Sequence, residues 1–140
     1  MMEEEQLREF NKSIIDEFRS NDGVLGGMFA GATVLLLTTT GAKSGKNRVN
    51  PVMYMPDGDR YIIFASYEGQ PVNPPWYFNL KANPEVGVEV GTEQFKATAS
   101  ILDEPERTEY YSKMKAVAPM FAEYESKTTR TIPVIALTRI

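Results

Sequence analysis

Two rhythms of hydrophobic and polar residues run along this chain. The first is helical: across residues 3–20, Leu7, Phe10, Ile14, Ile15 and Phe18 share one face and charged residues take the other. Asn21-Asp22-Gly23 ends it, and a glycine-rich apolar connection, Gly23 to Gly31, follows. From there the rhythm is mostly extended. Thr33–Thr39, Arg48–Met55 and Arg60–Tyr67 each predict a strand, with Asp57-Gly58-Asp59 as the turn between the second and third. Trp76–Ala82 predicts a short helix stopped by Asn83-Pro84. Val86–Val90 and Phe95–Leu102 predict two more strands around Gly91-Thr92. Asp103 is expected to cap a second long helix, with Pro105 in its first turn and Glu106 three residues after the cap. That helix carries Tyr110, Tyr111, Met114 and Val117, and Pro119 breaks or kinks it. A helical turn over Met120–Lys127 and a strand over Ile132–Arg139 complete the chain.

About six antiparallel strands and two or three helices result. The first strands run consecutively before any helix intervenes, which argues against a parallel βαβ sheet. Strands this numerous in a chain of 140 residues bury their edges by curling into a small barrel. The expected class is α+β, mainly β, with residues 1–22 as an N-terminal amphipathic helix and 23–140 as the barrel domain. The helix packs on its own domain, covers a site as a lid, or touches a membrane surface. Its acidic flank argues against anionic lipid.

Composition narrows the chemistry. The chain has no cysteine and no histidine. Thiolate nucleophiles, zinc–sulfur and iron–sulfur centres, the Ser-His-Asp triad and histidine-ligated metals are therefore excluded. An enzyme built this way needs a bound cofactor, or must work with Tyr, Ser, Lys, Arg and carboxylates. A net charge of −4 disfavours nucleic acid as a partner. The acidic start MMEEEQ is no signal peptide, and the longest apolar run, around Met28–Leu37, is too short to span a bilayer. A cytoplasmic location is expected, with peripheral membrane contact through the first helix as the variant.

Against that acidic background, Thr38–Arg48 (TTTGAKSGKNR) stands out. Lys43, Lys46 and Arg48 supply positive charge. Thr39, Thr40 and Ser44 supply hydroxyls. Gly41 and Gly45 let the loop turn so that backbone N–H groups can face an anion. A solvated hairpin tip is the plain alternative. A nucleotide P-loop is not, because Asn47 follows Gly45-Lys46, Thr40 stands where the first glycine belongs, and Pro51 favours extended chain over helix.

Three blocks, LLLTTTGAKSGKNRVNPV, FASYEGQPVNPPWYFNLKANPEVGVEVG and TTRTIPVIALT, resemble the deazaflavin-dependent nitroreductase and reductase family over roughly residues 25–140. The resemblance implies a split β-barrel of the flavin-reductase type that binds the deazaflavin coenzyme F-420. It implies that Lys43, Ser44, Gly45, Lys46 and Arg48, with Thr39, grip the coenzyme's phosphate and polyglutamate tail. Asn50, Pro51, Val52 and Met53 would lie along the ring, Ala65 and Ser66 near its reactive edge, and Trp76 and Asn79 in the helix closing the groove. Tyr54 and Tyr124 would stand on the substrate side, and Ser66, Tyr54 and Tyr124 are the candidate catalytic hydroxyls. Some relatives carry tyrosines where this chain has Met53 and Phe121, which argues against a nitroimidazole substrate. Tyr67 replaces a cation often found beside the matching serine.

The implied reaction passes a hydride from reduced coenzyme to a small-molecule acceptor: a conjugated lactone or ester of coumarin type, a quinone or a nitroaromatic. An F-420 carrier without its own substrate and an FMN-dependent reductase on the same barrel are the alternatives. A homodimer is left open.

Overall fold

The computed structural model describes residues 4–140, so Glu3, the expected first residue of the opening helix, lies outside the described residues. Helix α1 spans Glu4–Ser20. Strands β1 (Val34–Thr40), β2 (Asn47–Asp57) and β3 (Arg60–Phe64) form the meander. Helix α2 (Pro75–Ala82) precedes β4 (Glu85–Val90) and β5 (Glu93–Ile101). Helices α3 (Glu106–Val117) and α4 (Met120–Ser126) follow, and β6 (Val134–Arg139) closes the sheet. Every pairing is antiparallel, and the order β1-β2-β3-β6-β5-β4 returns to β1 as a closed barrel.

Alternation along the strands creates three cores. Leu35 and Leu37 of β1, Ile63 of β3 and Ile135 and Leu137 of β6 point inward, where Trp76, Tyr77 and Leu80 of α2 join them. Ile62, Val134 and Ala136 point outward and are covered by Tyr110, Tyr111 and Met114 of α3 and Phe121 of α4. Val34 and Leu36 also point outward and receive Ile14 and Phe18 of α1. Helix α1 therefore shares a core with β1 and β2. Each fully buried Leu or Ile in these layers contributes about 1.5–3 kcal/mol.

Three local expectations fail. The third strand stops at Phe64 instead of Tyr67, because the Ala65 N–H goes to the Pro133 carbonyl and the next residues turn left-handed. Asp103 does not cap α3 with its side chain; Glu104 accepts from the Thr108 N–H and hydroxyl instead, and the Asp103 carbonyl takes the Arg107 N–H. The last strand begins at Val134 instead of Ile132.

At the β2–β3 turn, Asp57 Oδ2 accepts from Arg60 Nη2 at 2.7 Å and from the Tyr110 hydroxyl at 2.8 Å, fastening α3 to the hairpin. Arg60 and then Tyr110 hold the Asp57 carboxyl below its ordinary 3.8. A depressed folded-state value means that this stability is complete above the ordinary value and is lost as pH falls through the depressed one. Asp57→Asn should therefore lower Tm modestly at neutral pH, and the variant and wild-type melting temperatures should converge as pH falls through the depressed value.

Candidate functional site

The barrel is uneven at β2. Residues Asn47–Met53 pair with β1 on one edge, but β3 joins the other edge only from Tyr54 onward. Between Asn47 and Met53 the β3-facing edge carries no strand, which is the split. No residue of β2 is buried, whereas β1 beside it is buried at five of seven positions. The Tyr54 N–H donates to the Thr33 carbonyl, which fixes the antiparallel alternation. By that alternation Arg48, Asn50 and Val52 spend their backbone groups on β1. Val49 and Pro51 turn theirs to the open edge, where proline's missing N–H leaves no ladder bond unmade.

The basic loop lies at the head of this edge. Lys43, Lys46 and Arg48 are exposed, and among the described residues no carboxylate pairs with them. They are local free charge in a chain of net charge −4. The backbone donors of the loop, however, are only partly available to an anion. The Gly41 N–H goes to Lys46 O, the Gly45 N–H to Gly41 O, the Lys46 N–H to Ser44 Oγ and the Ala42 N–H to Asn79 Oδ1. The loop spends these four donors on its own shape, which leaves the Lys43 and Ser44 N–H groups and the side chains to attract an anion. Gly45 supplies a left-handed φ of 71°. Gly41 instead supplies room, since a Cβ there would lie 2.5 Å from Ser44 Oγ.

Thr39 is 1% exposed. It shares the inward face with Leu35 and Leu37, and its hydroxyl accepts from Asn79 Nδ2 at 3.2 Å. Thr39 and Asn79 thus position the loop: the Asn79 amide is divided between Thr39 and Ala42, and the Asn83 amide adds a bond to the Thr40 carbonyl. Trp76 and Ala65 are buried in the barrel-interior core.

The two lips of the split differ. Asn50 and Val52 face inward and Pro51 and Met53 outward, all partly exposed. Met53 touches both the α1 core and the α3–α4 core. Opposite them, Ser66 follows Ala65 and opens a 3₁₀ turn at Tyr67–Gly69. Tyr67 and Glu68 adopt left-handed φ of 49° and 55°, a conformation that costs non-glycine residues about 1–3 kcal/mol each. Gly69 makes the turn's contact with α4, because a Cβ there would lie 2.8 Å from the Tyr124 carbonyl. The turn that follows Ser66 is thereby seated against the α4 backbone, while the Tyr124 ring packs on Phe121 at 5.3 Å in the α3–α4 core.

Tyr54 is with neither. It sits where β2 is paired on both edges, and it points into the barrel, 5.5 Å from the Tyr61 ring. The three candidate hydroxyls are thus separated: Ser66 at the turn after β3, Tyr124 on the α3–α4 core and Tyr54 in the barrel interior. Burial, then Glu68 and Glu123, pushes the Tyr124 phenol above its ordinary 10.0. Burial and Tyr61 do the same to Tyr54. Two residues that the sequence reading passed over belong here, Gly69 and Arg130. Arg130 bonds the carbonyls of Ala65, Ser66 and Gln70. Its block, TTRTIPV, was visible, but a single arginine among threonines has no periodicity to mark it.

A shallow depression of about 340 Å³, lined by Thr38, Gly87, Gln94 and Lys96 among others, lies around β4 and β5 and contains none of the candidate residues. No group of three or more acidic residues that could hold a metal occurs among the described residues.

The sequence model of the F420H(2)-dependent quinone reductase family matches residues 10–139. An F420H(2)-dependent quinone reductase of Mycobacterium tuberculosis is 42% identical over 127 residues, covering 87% of this chain and 85% of that protein. A solved structure described as an F420-H2 dependent reductase is 42% identical, with a TM-score of 0.69, and the match covers 75% of this chain and 93% of that one. Another, described as a domain-swapped dimer, is 38% identical, with a TM-score of 0.71 and coverage of 95% and 97%. Matched length, identity and barrel agree: the chain belongs to the F420H(2)-dependent quinone reductase family and is a deazaflavin-dependent reductase that uses coenzyme F-420.

Proposed function

We propose that this chain reduces a quinone at the split in its barrel, with F-420 held between the basic loop and the Ser66–Gly69 turn. The observation that carries the reading is the unpaired edge of β2, which begins beside three free cations and reaches β3, the strand that leads into Ser66. Lys43, Lys46 and Arg48 would hold the acidic tail. Asn50, Pro51, Val52 and Met53 would flank the ring, and Val49 and Pro51 would offer it backbone groups along the open edge. The coenzyme, when bound and reduced, supplies a hydride carried on carbon.

What remains for the protein is to orient the acceptor, exclude water and deliver one proton. A quinone that takes up one hydride and one proton becomes the hydroquinone, so one well-placed donor suffices. Tyr124 fits that task. Its phenol is protonated throughout the neutral range, and a neighbouring acceptor oxygen that gains negative charge can draw on that proton. Ser66, 8% exposed, would orient the acceptor by a hydrogen bond. Conjugated lactones and esters need the same hydride and proton and are the second acceptor class. Nitroaromatics also take one hydride and one proton at the first reduction, but they release water as well, and Met53 and Phe121 bring no hydroxyl to that wall.

Anaerobic mixing of the protein with reduced F-420 and a soluble naphthoquinone tests the reading. Recovery of the oxidised coenzyme's visible absorbance only when quinone is present supports it; quinone-independent oxidation or none at all refutes it. Tyr124→Phe should lower turnover by about 100-fold with F-420 affinity unchanged within twofold. Wild-type turnover should stay level to about pH 10 and fall beyond, as the phenol ionises. Unchanged turnover in Tyr124→Phe removes Tyr124 as the donor. The relative described as a domain-swapped dimer supports pairing of this chain as well, which sedimentation at several concentrations reads directly.

A further inference from the structure

The lip of the site contains three successive left-handed residues, Tyr67, Glu68 and Gly69. Two of the three are not glycine, so the turn needs holding from outside. Arg130, in the segment between α4 and β6, reaches both ends of the run. Its Nη2 donates to the Ala65 carbonyl at 3.1 Å and to the Ser66 carbonyl at 3.0 Å, on the entering side. Its Nε donates to the Gln70 carbonyl at 3.0 Å, on the leaving side. Its Nη1 donates to Asn73 Oδ1 at 2.7 Å, in the stretch that leads into α2.

All four acceptors are neutral. Among the described residues no carboxylate forms an ion pair with Arg130, and burial pulls its pKa below the ordinary arginine value. A partly desolvated cation without a counter-charge is a poor stabiliser as an ion. What the position uses is the planar fork, which a lysine cannot reproduce. On its other side the turn rests against α4 through Gly69. The segment carrying Ser66 is thus held between the Arg130 fork and the helix carrying Tyr124.

We propose that Arg130 is a positioning residue for the reduction: it sets the shape of the Ser66–Gln70 turn, and so the placing of Ser66 relative to the helix that carries Tyr124. It acts through the turn and touches neither coenzyme nor acceptor. The proposal rests on the split being the active site, as argued above.

Arg130→Lys keeps the charge but cannot bridge the Ala65, Ser66 and Gln70 carbonyls at once. Hydrogen exchange in the ligand-free protein should quicken by about tenfold or more at amides 67–70, with protection in β1 and β6 retained. The F-420 dissociation constant should rise by about 3–10-fold and turnover fall by about 10–100-fold, as expected when a reacting group is misplaced by a fraction of an ångström. Ser66→Ala, harmful alone, should cost little more on top of Arg130→Lys, because both act through one turn. Asn73→Ala, which removes one of the four bonds and leaves the arginine, should shift the same amides in the same direction by less. Wild-type exchange at 67–70 in Arg130→Lys overturns the proposal. So does loss of protection throughout the barrel with a fully additive Ser66→Ala effect, which would make Arg130 a general fold residue. If wild type oxidises reduced F-420 with no quinone, the proposed activity fails by itself, and exchange and F-420 affinity still decide the role of Arg130.

Discussion

Replacing Lys43 and Lys46 together by alanine should weaken F-420 binding by about 30–1000-fold at low ionic strength. The estimate takes about 1–2 kcal/mol for each charge-assisted contact between an exposed ammonium and an anionic tail. Both lysines are exposed and unpaired within the protein. Their removal breaks no internal ion pair, and Tm should hardly move. The Gly41, Ala42, Gly45 and Lys46 N–H groups are occupied internally and cannot substitute for the lost charge, which leaves the Lys43 and Ser44 N–H groups to hold the residual affinity of the double variant. Arg48→Ala should act in the same direction. Lys96→Ala, on β5 across the barrel from β2, should do nothing to binding. Raising salt from about 0.02 M to 0.5 M should weaken the wild type more than the double variant and narrow the gap, since the screening length shrinks from about 20 Å to about 4 Å. Titrating F-420 into each protein at several salt concentrations measures this. Affinities that ignore both the mutations and the salt would remove the loop from the binding site.

The sequence carried the barrel and the loop, but not where the loop's donors go. Hydrophobic alternation placed six strands to within a few residues, because a half-buried strand must show a period of two. The glycines and cations of residues 41–48 marked a tight basic turn. The same alternation could have placed Thr39 with Leu35 and Leu37 inside the barrel, and Tyr54 with Val52; reading the hydroxyls as chemistry obscured a pattern already present. Other features had no local signal. The Ala42 donor is taken by Asn79, a residue 37 positions away. YIIFASY looks extended throughout, yet Gly69 must meet the Tyr124 backbone and Arg130 must gather the carbonyls around the turn, so the strand ends at Phe64. The split itself follows from that early ending, since β3 is too short to cover the first half of β2. The part of the site that the sequence displayed is its charge; the part it hid is the tertiary bonding that ends β3 early and leaves the β2 edge unpaired.

Two neighbouring substitutions in α2 should give opposite patterns of damage and so separate stability from site geometry. Leu80 is 1% exposed and belongs to the barrel-interior core with Trp76 and Tyr77. Leu80→Ala should cost about 2–5 kcal/mol through lost burial and the cavity left behind, lowering Tm by roughly 5–15 °C in a chain of this size. Trp76 and Tyr77 still anchor the helix, so F-420 affinity measured well below the new Tm should change by less than about threefold. Asn79, the adjacent residue, ties α2 to the loop through Thr39 Oγ1 and the Ala42 N–H. Asn79→Ala deprives a buried hydroxyl of its hydrogen-bond donor and leaves a backbone donor without its acceptor, which costs about 1–3 kcal/mol. Its smaller loss of Tm should come with a larger loss of affinity, because the loop carrying Lys43 and Lys46 is no longer held at the head of the open edge. Thermal melts paired with coenzyme titrations distinguish the two. If Asn79→Ala binds F-420 as wild type does while Leu80→Ala does not, the seating of α2 in the barrel, and not its polar tether, sets the loop, and the Asn79 assignment falls.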